Sequence, residues 1–326
     1  MIESQLLADF RRARRAMRDE WSLQLARESA ALRAQTSSNI SIYEYMSVEE
    51  HVGNSEHLRI QAEHARHSYG LSRYRLATLY FSAGYLSLNQ AIDIDAIRYA
   101  IDNLDEDYRV AALAAWLKAI GDCVNSTGHT AQYLRAANPS SATRVSANFR
   151  KDVWTRFFHH ATRFEEIGRS EWKRRNLVTN TEANELLRTR SDRRYQVVYA
   201  DPPYTKDQYS RYYHVFETLL LYDYPDSVGM GRYRTDRLPS DFSTKSRVVK
   251  AFDELCKHVS AVESMLFLSY PSNGLACTTD IHLEEILHQW FRSVRVQTTT
   301  LDHSTLGAKA GDRTKEAIEC LYICEP

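Results

Sequence analysis

The alternation of hydrophobic and polar positions predicts two kinds of structure along the chain. In the first part, hydrophobic residues recur near helical spacing between Leu6 and Leu25, and Ala111–Leu117 has the pattern of a buried helix. In the second part, runs of β-branched and aromatic residues predict strands that alternate with helices, and hence a doubly wound α/β sheet. The strands are expected at Leu177–Asn180, Val197–Ala200, Met265–Tyr270, Val294–Thr298 and Ile318–Ile323, and the helices at Val248–Val262 and Leu283–Phe291.

Composition narrows the class of protein. The chain has 326 residues, enough for one large or two modest domains, and no apolar run is long enough to form a transmembrane helix. The first residues lack a signal-peptide pattern, so we expect a cytoplasmic protein. Basic and acidic residues number 42 each, so any affinity for nucleic acid must come from local patches. Five scattered cysteines are expected to be reduced and mostly buried, namely Cys123, Cys256, Cys277, Cys320 and Cys324.

Three segments carry clustered basic or histidine residues. The basic helical segment Phe10–Arg18 is typical of a solvated helix face, but a partner subunit or DNA phosphates would also suit it. In residues 138–176, basic and aromatic residues interleave, which fits phosphate contacts with stacking and equally an amphipathic helix with a charged outer face. His64 and His67 share a helix face without a third ligand at an obvious spacing, so we predict surface histidines and no metal site.

The stretch Val197–Tyr204 places a carboxylate where chemistry is expected. Pro202 and Pro203 end the strand because neither ring nitrogen can donate to a ladder. Asp201 therefore lies at the carboxyl end of a strand, which is where ligands bind in open α/β sheets. A strand followed by a simple Asp-Pro-Pro turn is the structural alternative.

The residues Asp201-Pro202-Pro203-Tyr204 resemble the Asp-Pro-Pro-Tyr motif of N6-adenine DNA methyltransferases, in the branch related to the Dam enzymes. The resemblance covers most of the chain from about Tyr80 onward. Further similar segments are Tyr80–Phe81, Gln90–Arg98, Val124–His129, Tyr212–Thr218, Ser240–Phe242 and Ser269–Tyr270. It implies a class I (Rossmann-like) methyltransferase sheet with a helical N-terminal and insertion region, and methyl transfer from S-adenosylmethionine to adenine without a metal.

The resemblance also implies roles for individual residues. The exocyclic N6 of adenine is a poor nucleophile and needs acceptors for its hydrogens. The family supplies these from the positions of the Asp201 side chain and the Pro202 carbonyl, with Pro203 keeping the backbone rigid. Tyr204 would stack on a base that has been extruded from the duplex. The residues expected to contact DNA are Tyr209, Arg211, Tyr212, Tyr213, His214, Ser269, Tyr270 and Asn273. The Tyr- and Arg-rich segment 222–246 would close over DNA or face solvent.

The cofactor-binding part of the family pattern is missing. Phe81–Tyr85 imitates the family's Phe-x-Gly-x-Gly loop only superficially, because Ala83 and Tyr85 occupy its two glycine positions. Gly229–Gly231 does not follow a predicted strand, so it reads as a surface loop. By resemblance, the residues left to contact the cofactor are Asp201 and Glu182, the latter standing where the family usually has an aspartate.

This departure predicts a partner. The family's sheet places its first two strands beside the strand equivalent to Val197–Ala200, so their loss would leave an open apolar edge that another polypeptide should fill. We therefore expect a heterodimeric enzyme of restriction–modification or phage defence. Residues 1–75 would form a possible partner-binding region, residues 76–176 a target-recognition region and residues 177–326 the catalytic core. The alternatives are a self-sufficient enzyme with a degenerate cofactor site at Phe81–Tyr85, or a catalytically silent DNA-recognition or assembly subunit.

Overall fold

The chain forms two compact units in the computed structural model, which describes residues 59–82, 84–126, 128–136, 138–163, 169–190, 195–279, 282–303 and 315–326. Unit 1 is drawn from Met1–Ile167 and Arg211–Arg237, and unit 2 from Gly168–Ser210 and Leu238–Pro326. Segment 211–237 thus belongs with the helical part of the chain. The division of the chain into three functional regions, with boundaries after residues 75 and 176, stays a prediction. The basic segment Phe10–Arg18 lies outside the described residues.

The helices, numbered in chain order, are α1 Leu76–Phe81, α2 Leu88–Asp102, α3 Glu106–Cys123, α4 Pro139–Phe149, α5 Val153–Thr162, α6 Ser170–Lys173, α7 Ala183–Thr189, α8 Tyr209–Tyr212, α9 His214–Leu221, α10 Val248–Ala261 and α11 Leu283–Trp290. The strands are β1 Val197–Ala200, β2 Ser227–Val228, β3 Tyr233–Arg234, β4 Met265–Pro271, β5 Ser293–His303 and β6 Lys315–Glu325. Among the residues that the structure describes, no helix is both long and apolar enough to cross a membrane.

Unit 1 is a helical assembly around α2 and α3. Helix α2 begins at Ser87, where the Ser87 hydroxyl and the Gln90 side chain each satisfy the other residue's backbone N–H. The indole of Trp116 on α3 donates to the carbonyl of Ile94 on α2, and both side chains are fully buried. The predicted helix at Ala111–Leu117 is confirmed as the middle of the longer helix α3.

Helix α5 lies in the segment 138–176, where basic and aromatic residues interleave, and its contacts distinguish between the two interpretations of that segment. Its N-terminus is capped by Asp152, which accepts a hydrogen bond from the backbone of Thr155. Trp154 and Phe157 are buried in the core of unit 1. Because these rings pack inside the protein, they are not available to stack on bases, and the amphipathic-helix interpretation holds for α5.

Unit 2 contains a four-stranded mixed sheet in the order β1-β4-β6-β5. Strands β1 and β4 are parallel, whereas β6 is antiparallel to both β4 and β5. Four predicted strands are confirmed, and the two predicted helices are confirmed as α10 and α11. The expectation of a doubly wound sheet was too specific, because β5 and β6 are consecutive strands that pair antiparallel.

The predicted strand at Leu177–Asn180 is wrong: the structure assigns no strand there. The segment is flanked by polar residues on both sides, and it pairs with no strand among the described residues. Val178 is 97% exposed. A strand needs a neighbour for its backbone groups, and an apolar sequence alone does not supply one.

Helices α10 and α11 pack on one face of the sheet. That face presents Leu266, Leu268 and Tyr270 of β4, all fully buried. Along β1 the faces alternate: Val198 and Ala200 pack against this core, whereas the other two residues of the strand are largely exposed, Val197 at 50% and Tyr199 at 64%. Among the described residues β1 pairs only with β4, so its other edge is open there. All five cysteines are free and four of them are buried, as expected from the sequence.

Candidate active site

The exit of β1 holds two polar acceptors that the described structure leaves unpaired. Ala200 and Leu268 form the last pair between β1 and β4, after which the chain turns at Pro202 and the buried Pro203. Asp201 and Tyr204 are exposed. Within the described residues, neither the Asp201 carboxylate nor the Pro202 carbonyl forms a hydrogen bond. Their lone pairs are therefore available to a ligand at the carboxyl ends of two parallel strands.

Neighbouring backbone groups fix the shape of this turn. The Tyr209 hydroxyl donates to the Asp201 carbonyl over 3.1 Å. The backbone N–H of Leu275 donates to the Tyr204 carbonyl over 2.8 Å. Both ends of the turn are thus held by atoms outside it, which keeps the acceptors in one position without occupying the Asp201 side chain.

The loop after β4 lies at the same edge of the sheet. Ser269 is half-buried and Asn273 is exposed, so both can meet a ligand beside Asp201. Tyr270 is fully buried; its ring packs edge-to-face on Phe252 at 5.1 Å, and its hydroxyl accepts the backbone N–H of Ala276 over 3.0 Å. Burial raises the pKa of Tyr270 to about 12. The structure therefore places Tyr270 under the loop as a support.

Unit 1 carries the other candidate DNA contacts. Tyr213 is exposed and Tyr212 is half-buried, with the Tyr212 ring stacked on His129 at 4.6 Å. The Tyr212 carbonyl accepts two hydrogen bonds from Thr130, one from its N–H at 2.7 Å and one from its hydroxyl at 2.6 Å. The guanidinium of Arg211 lies over the ring of Tyr233, 5.5 Å from its centroid.

His214 occupies the interior of unit 1. Its Nε2 lies 2.9 Å from the Thr130 carbonyl and 3.2 Å from the Tyr85 hydroxyl. Burial lowers the pKa of His214 to about 4, with a smaller opposing effect from the Thr130 hydrogen bond. The neutral imidazole donates from Nε2 to the Thr130 carbonyl and so fixes the first residue of α9. His214 therefore helps to position Tyr212 and Tyr213, which directly precede it in the chain.

The two candidate cofactor regions differ in character. Glu182 is exposed, and its side chain caps α7 by accepting the backbone N–H of Glu185 over 2.9 Å. Phe81 and Tyr85 are buried in the core of unit 1; Phe81 is the last residue of helix α1 and Tyr85 comes shortly after it, so neither follows a strand. Among the described residues, the two-glycine turn Gly229–Gly231 follows the short strand β2 and closes a two-stranded hairpin, and no glycine follows β1 at its exit, so these residues alone do not complete an S-adenosylmethionine site. In the same ranges, no three His, Cys, Asp or Glu side chains converge as metal ligands.

Comparison with models of known protein families shows the family of this chain. The model of the D12 class N6 adenine-specific DNA methyltransferases matches residues 36–269, most of the chain. The chain belongs to this D12 class. The match includes β1, the Asp201–Tyr204 turn and β4 as far as Ser269, and it also spans the whole of α1 to α5.

Individual relatives of the D12 chain are modification enzymes of bacteria. It is 23% identical over 251 residues to modification methylase StsI of Streptococcus sanguinis, covering 74% of this chain and 35% of that protein. It is 26% identical over 220 residues to the type II methyltransferase M.NlaIII of Neisseria lactamica, covering 66% of this chain and 58% of that protein. The type II methyltransferase M.FokI of Planomicrobium okeanokoites matches at 26% over 205 residues, 60% of this chain and 28% of that protein.

The D12 chain spans between about a quarter and three fifths of the length of these relatives. No solved structure matches it significantly. The sequence pattern had pointed to the Asp201 turn, but it had treated Gly229–Arg232 only as a surface loop. In the structure that loop is the turn of the β2–β3 hairpin, with the ring of Tyr233 against its glycines. The arginines and the tyrosine in residues 232–237 were the feature of the sequence that could have marked this hairpin as a candidate site.

Proposed function

We propose that this D12 chain is the catalytic subunit of a site-specific DNA adenine N6-methyltransferase. One observation carries the proposal: the Asp201 carboxylate and the Pro202 carbonyl stand without partners in the described structure, beside exposed Tyr204, at the carboxyl end of β1. The names of the relatives, which are modification methylases and type II methyltransferases, support a role in restriction–modification.

The chemistry requires acceptors of this kind. S-adenosylmethionine, when bound, would supply an electrophilic methyl group: the N6 amine of adenine would form the new N–C bond as the donor's C–S bond breaks, and the proton released by N6 would leave to water. Asp201 and Pro202 accept the two amine hydrogens and draw electron density toward N6 as it becomes tetrahedral. Tyr204 stacks on the extruded base, and Ser269 and Asn273 line the same edge.

Substitution of Asp201 tests this role. We expect Asp201→Asn to lower kcat/KM for methyl transfer by roughly 10²- to 10³-fold, because the amide places a donor where an acceptor is needed. The assay is incorporation of labelled methyl groups into duplex DNA by the chain with its partner. Asp105→Asn is the matched control, since Asp105 is exposed and its side chain makes no capping hydrogen bond. If Asp201→Asn retained full activity, the acceptor role would be wrong; loss of activity in both variants would point to general damage.

We further propose that a second polypeptide completes the sheet and supplies the methyl-donor loop. The open edge of β1, the exposed side chains of Val197 and Tyr199, and the exposed Leu177–Asn180 segment support this arrangement. An incomplete class I sheet would need its first strands at this edge. The self-sufficient alternative has less support, because the Phe81–Tyr85 segment is occupied by core packing. A silent recognition subunit would leave methylation unchanged in Asp201→Asn.

A further inference from the structure

Arg232 is a buried cation without a counter-ion in the described structure. It lies in the turn of the β2–β3 hairpin with φ of 54°, a conformation that ordinary side chains rarely adopt. The residue is only 8% exposed, and within the described residues its guanidinium forms no ion pair and no hydrogen bond. Burial lowers its pKa, and the titratable groups that face it are the phenols of Tyr80 and Tyr133. A buried charge normally has a partner, since leaving it unpaired is costly.

The acidic groups of this region are committed to other arginines. Arg234, two positions along the same hairpin, pairs with Asp223 at 2.7 Å and with Asp236 at 2.9 Å. Asp226 is exposed and lies 3.8 Å from Arg66. The hairpin thus contains one arginine that is neutralised by two carboxylates and another that is neutralised by none in the described ranges.

Three other arginines lie near the hairpin, one beside Tyr133 and two over the ring of Tyr233. Arg135 is within electrostatic range of Tyr133, and its Nη2 lies 3.7 Å from the sulfur of Met230 in the hairpin turn. Arg211 and Arg237 lie over the ring of Tyr233, at 5.5 and 5.3 Å from its centroid. The Tyr233 hydroxyl donates to the Ala131 carbonyl, which fixes the ring that carries them.

Tight packing holds the turn itself. A Cβ at Gly231 would lie 2.7 Å from the Tyr233 ring, so the backbone of this turn is pressed against that ring. The backbone of the turn therefore cannot shift without moving Tyr233. The Arg232 guanidinium is largely shielded from water and has no carboxylate partner among the described residues. Such a group is suited to two parallel hydrogen bonds to an anion that offers a pair of oxygens, as a phosphate does.

We infer that Arg232, together with Arg135, Arg211 and Arg237, forms a binding site for the phosphates of DNA. This inference rests on the proposed function only in taking DNA as the substrate. Phosphate contacts fix the register of a protein on the duplex without reading its sequence, so the site would position unit 1 on the DNA backbone. The phosphate is the counter-ion that Arg232 lacks.

Salt-dependent DNA binding tests the site. The full-length chain is titrated onto fluorescent duplex DNA, without methyl donor, at several potassium chloride concentrations and with two unrelated sequences. For Arg232→Gln we expect about tenfold weaker binding at low salt and a slope of log K against log salt that is less negative by about 0.9, the value for one lost phosphate contact. Arg232→Lys should keep most of the slope because it keeps the charge.

Two further variants serve as controls. Arg232→Gly should bind DNA as weakly as Arg232→Gln while folding at least as well as wild type, since glycine adopts a positive φ without strain. Arg188→Gln should bind like wild type, because Arg188 is exposed on α7 and is already paired with Glu185.

Several outcomes would overturn the assignment. These are an unchanged salt slope in Arg232→Gln, a loss confined to one of the two DNA sequences, or a large fall in Tm in both Arg232→Gln and Arg232→Gly, which would indicate a partner inside the protein. A thermal shift with inorganic phosphate combined with unaltered DNA affinity would assign the site to a small anion instead. Because DNA binding is measured without methyl donor, whereas the methyltransferase proposal is tested by methyl transfer in Asp201→Asn, failure of the phosphate site and failure of the methyltransferase proposal are separable.

Discussion

At the scale of single residues, Asp95 and His214 show how burial in unit 1 changes protonation. Asp95 is fully buried and accepts hydrogen bonds from the backbone N–H groups of Ala77 and Thr78, the Thr78 hydroxyl and the Tyr222 hydroxyl. Burial raises the pKa of Asp95 to about 7, although these four donors act in the opposite direction. Burial lowers the pKa of His214 to about 4.

These two shifts have opposite effects on stability. The pKa of Asp95 is raised from 3.8, so its contribution falls as the pH rises from about 4 to about 7. The pKa of His214 is lowered from 6.5, so its contribution falls as the pH drops from about 6.5 to about 4. Relative to wild type, we expect Asp95→Asn to lose stability on acidification within this window and His214→Gln to gain it. The measurement is the difference in Tm between each variant and wild type at pH 4.5, 5.5 and 6.5; parallel profiles would contradict the expected shifts.

At the scale of elements, the loop after β4 links the core of unit 2 to the Asp201 turn. The Leu275 N–H that holds the Tyr204 carbonyl begins the 3₁₀ turn Leu275–Thr278, and the Tyr270 hydroxyl holds the next backbone N–H of that turn. Gly274 lies between them without room for a side chain, since a Cβ there would stand 2.3 Å from the Tyr270 ring. Core packing therefore sets where Tyr204 stands.

Gly274→Ala is expected to displace this loop. The added methyl must push away the Tyr270 ring or the loop backbone, at a cost on the order of 1–3 kcal/mol. We expect a lower Tm together with a loss of methyl transfer larger than the loss of folded protein explains, because the support of Tyr204 moves. Ser272→Ala, at an exposed position of the same loop, should change neither quantity. Normal activity in folded Gly274→Ala would show that the loop does not position Tyr204.

At the scale of the whole molecule, the chain combines zero formal net charge with a locally cationic hairpin region and a strand, β1, that has one open edge among the described residues. The proposed affinity for DNA would therefore arise from particular arginines and not from a general positive field. An open edge with exposed apolar side chains is a site where proteins commonly add a strand from another chain. The proposed partner makes use of this edge.

The partner proposal gives a prediction on β1. Tyr199→Glu should leave the Tm of the isolated chain within a few degrees of wild type, because the side chain is largely exposed. The same variant should abolish the methyl transfer that appears when the chain is mixed with a polypeptide carrying the donor-binding loop. Tyr69→Glu, at a tyrosine of unit 1 that is also largely exposed, is the control. Robust methyl transfer by the isolated wild-type chain would contradict the two-chain arrangement.

The sequence by itself determined the elements and the family. Strands β1, β4, β5 and β6 and helices α10 and α11 follow from the local hydrophobic period. The end of β1 just before Asp201 follows from the two prolines, which act through neighbouring atoms. The Asp-Pro-Pro-Tyr motif and its continuation were sufficient to indicate the D12 class. These features depend on short-range sterics and on motifs, which a sequence displays directly.

Only the tertiary structure decided which side chains remain free to act. It placed Tyr270 and His214 inside the protein, paired β5 with β6 antiparallel, and left Leu177–Asn180 without a strand. It also showed that two neighbouring arginines differ in their partners: Arg234 pairs with two carboxylates, whereas Arg232 pairs with none among the described residues. Burial, pairing and charge compensation depend on contacts between residues far apart in the chain, and those contacts form only when the chain has folded.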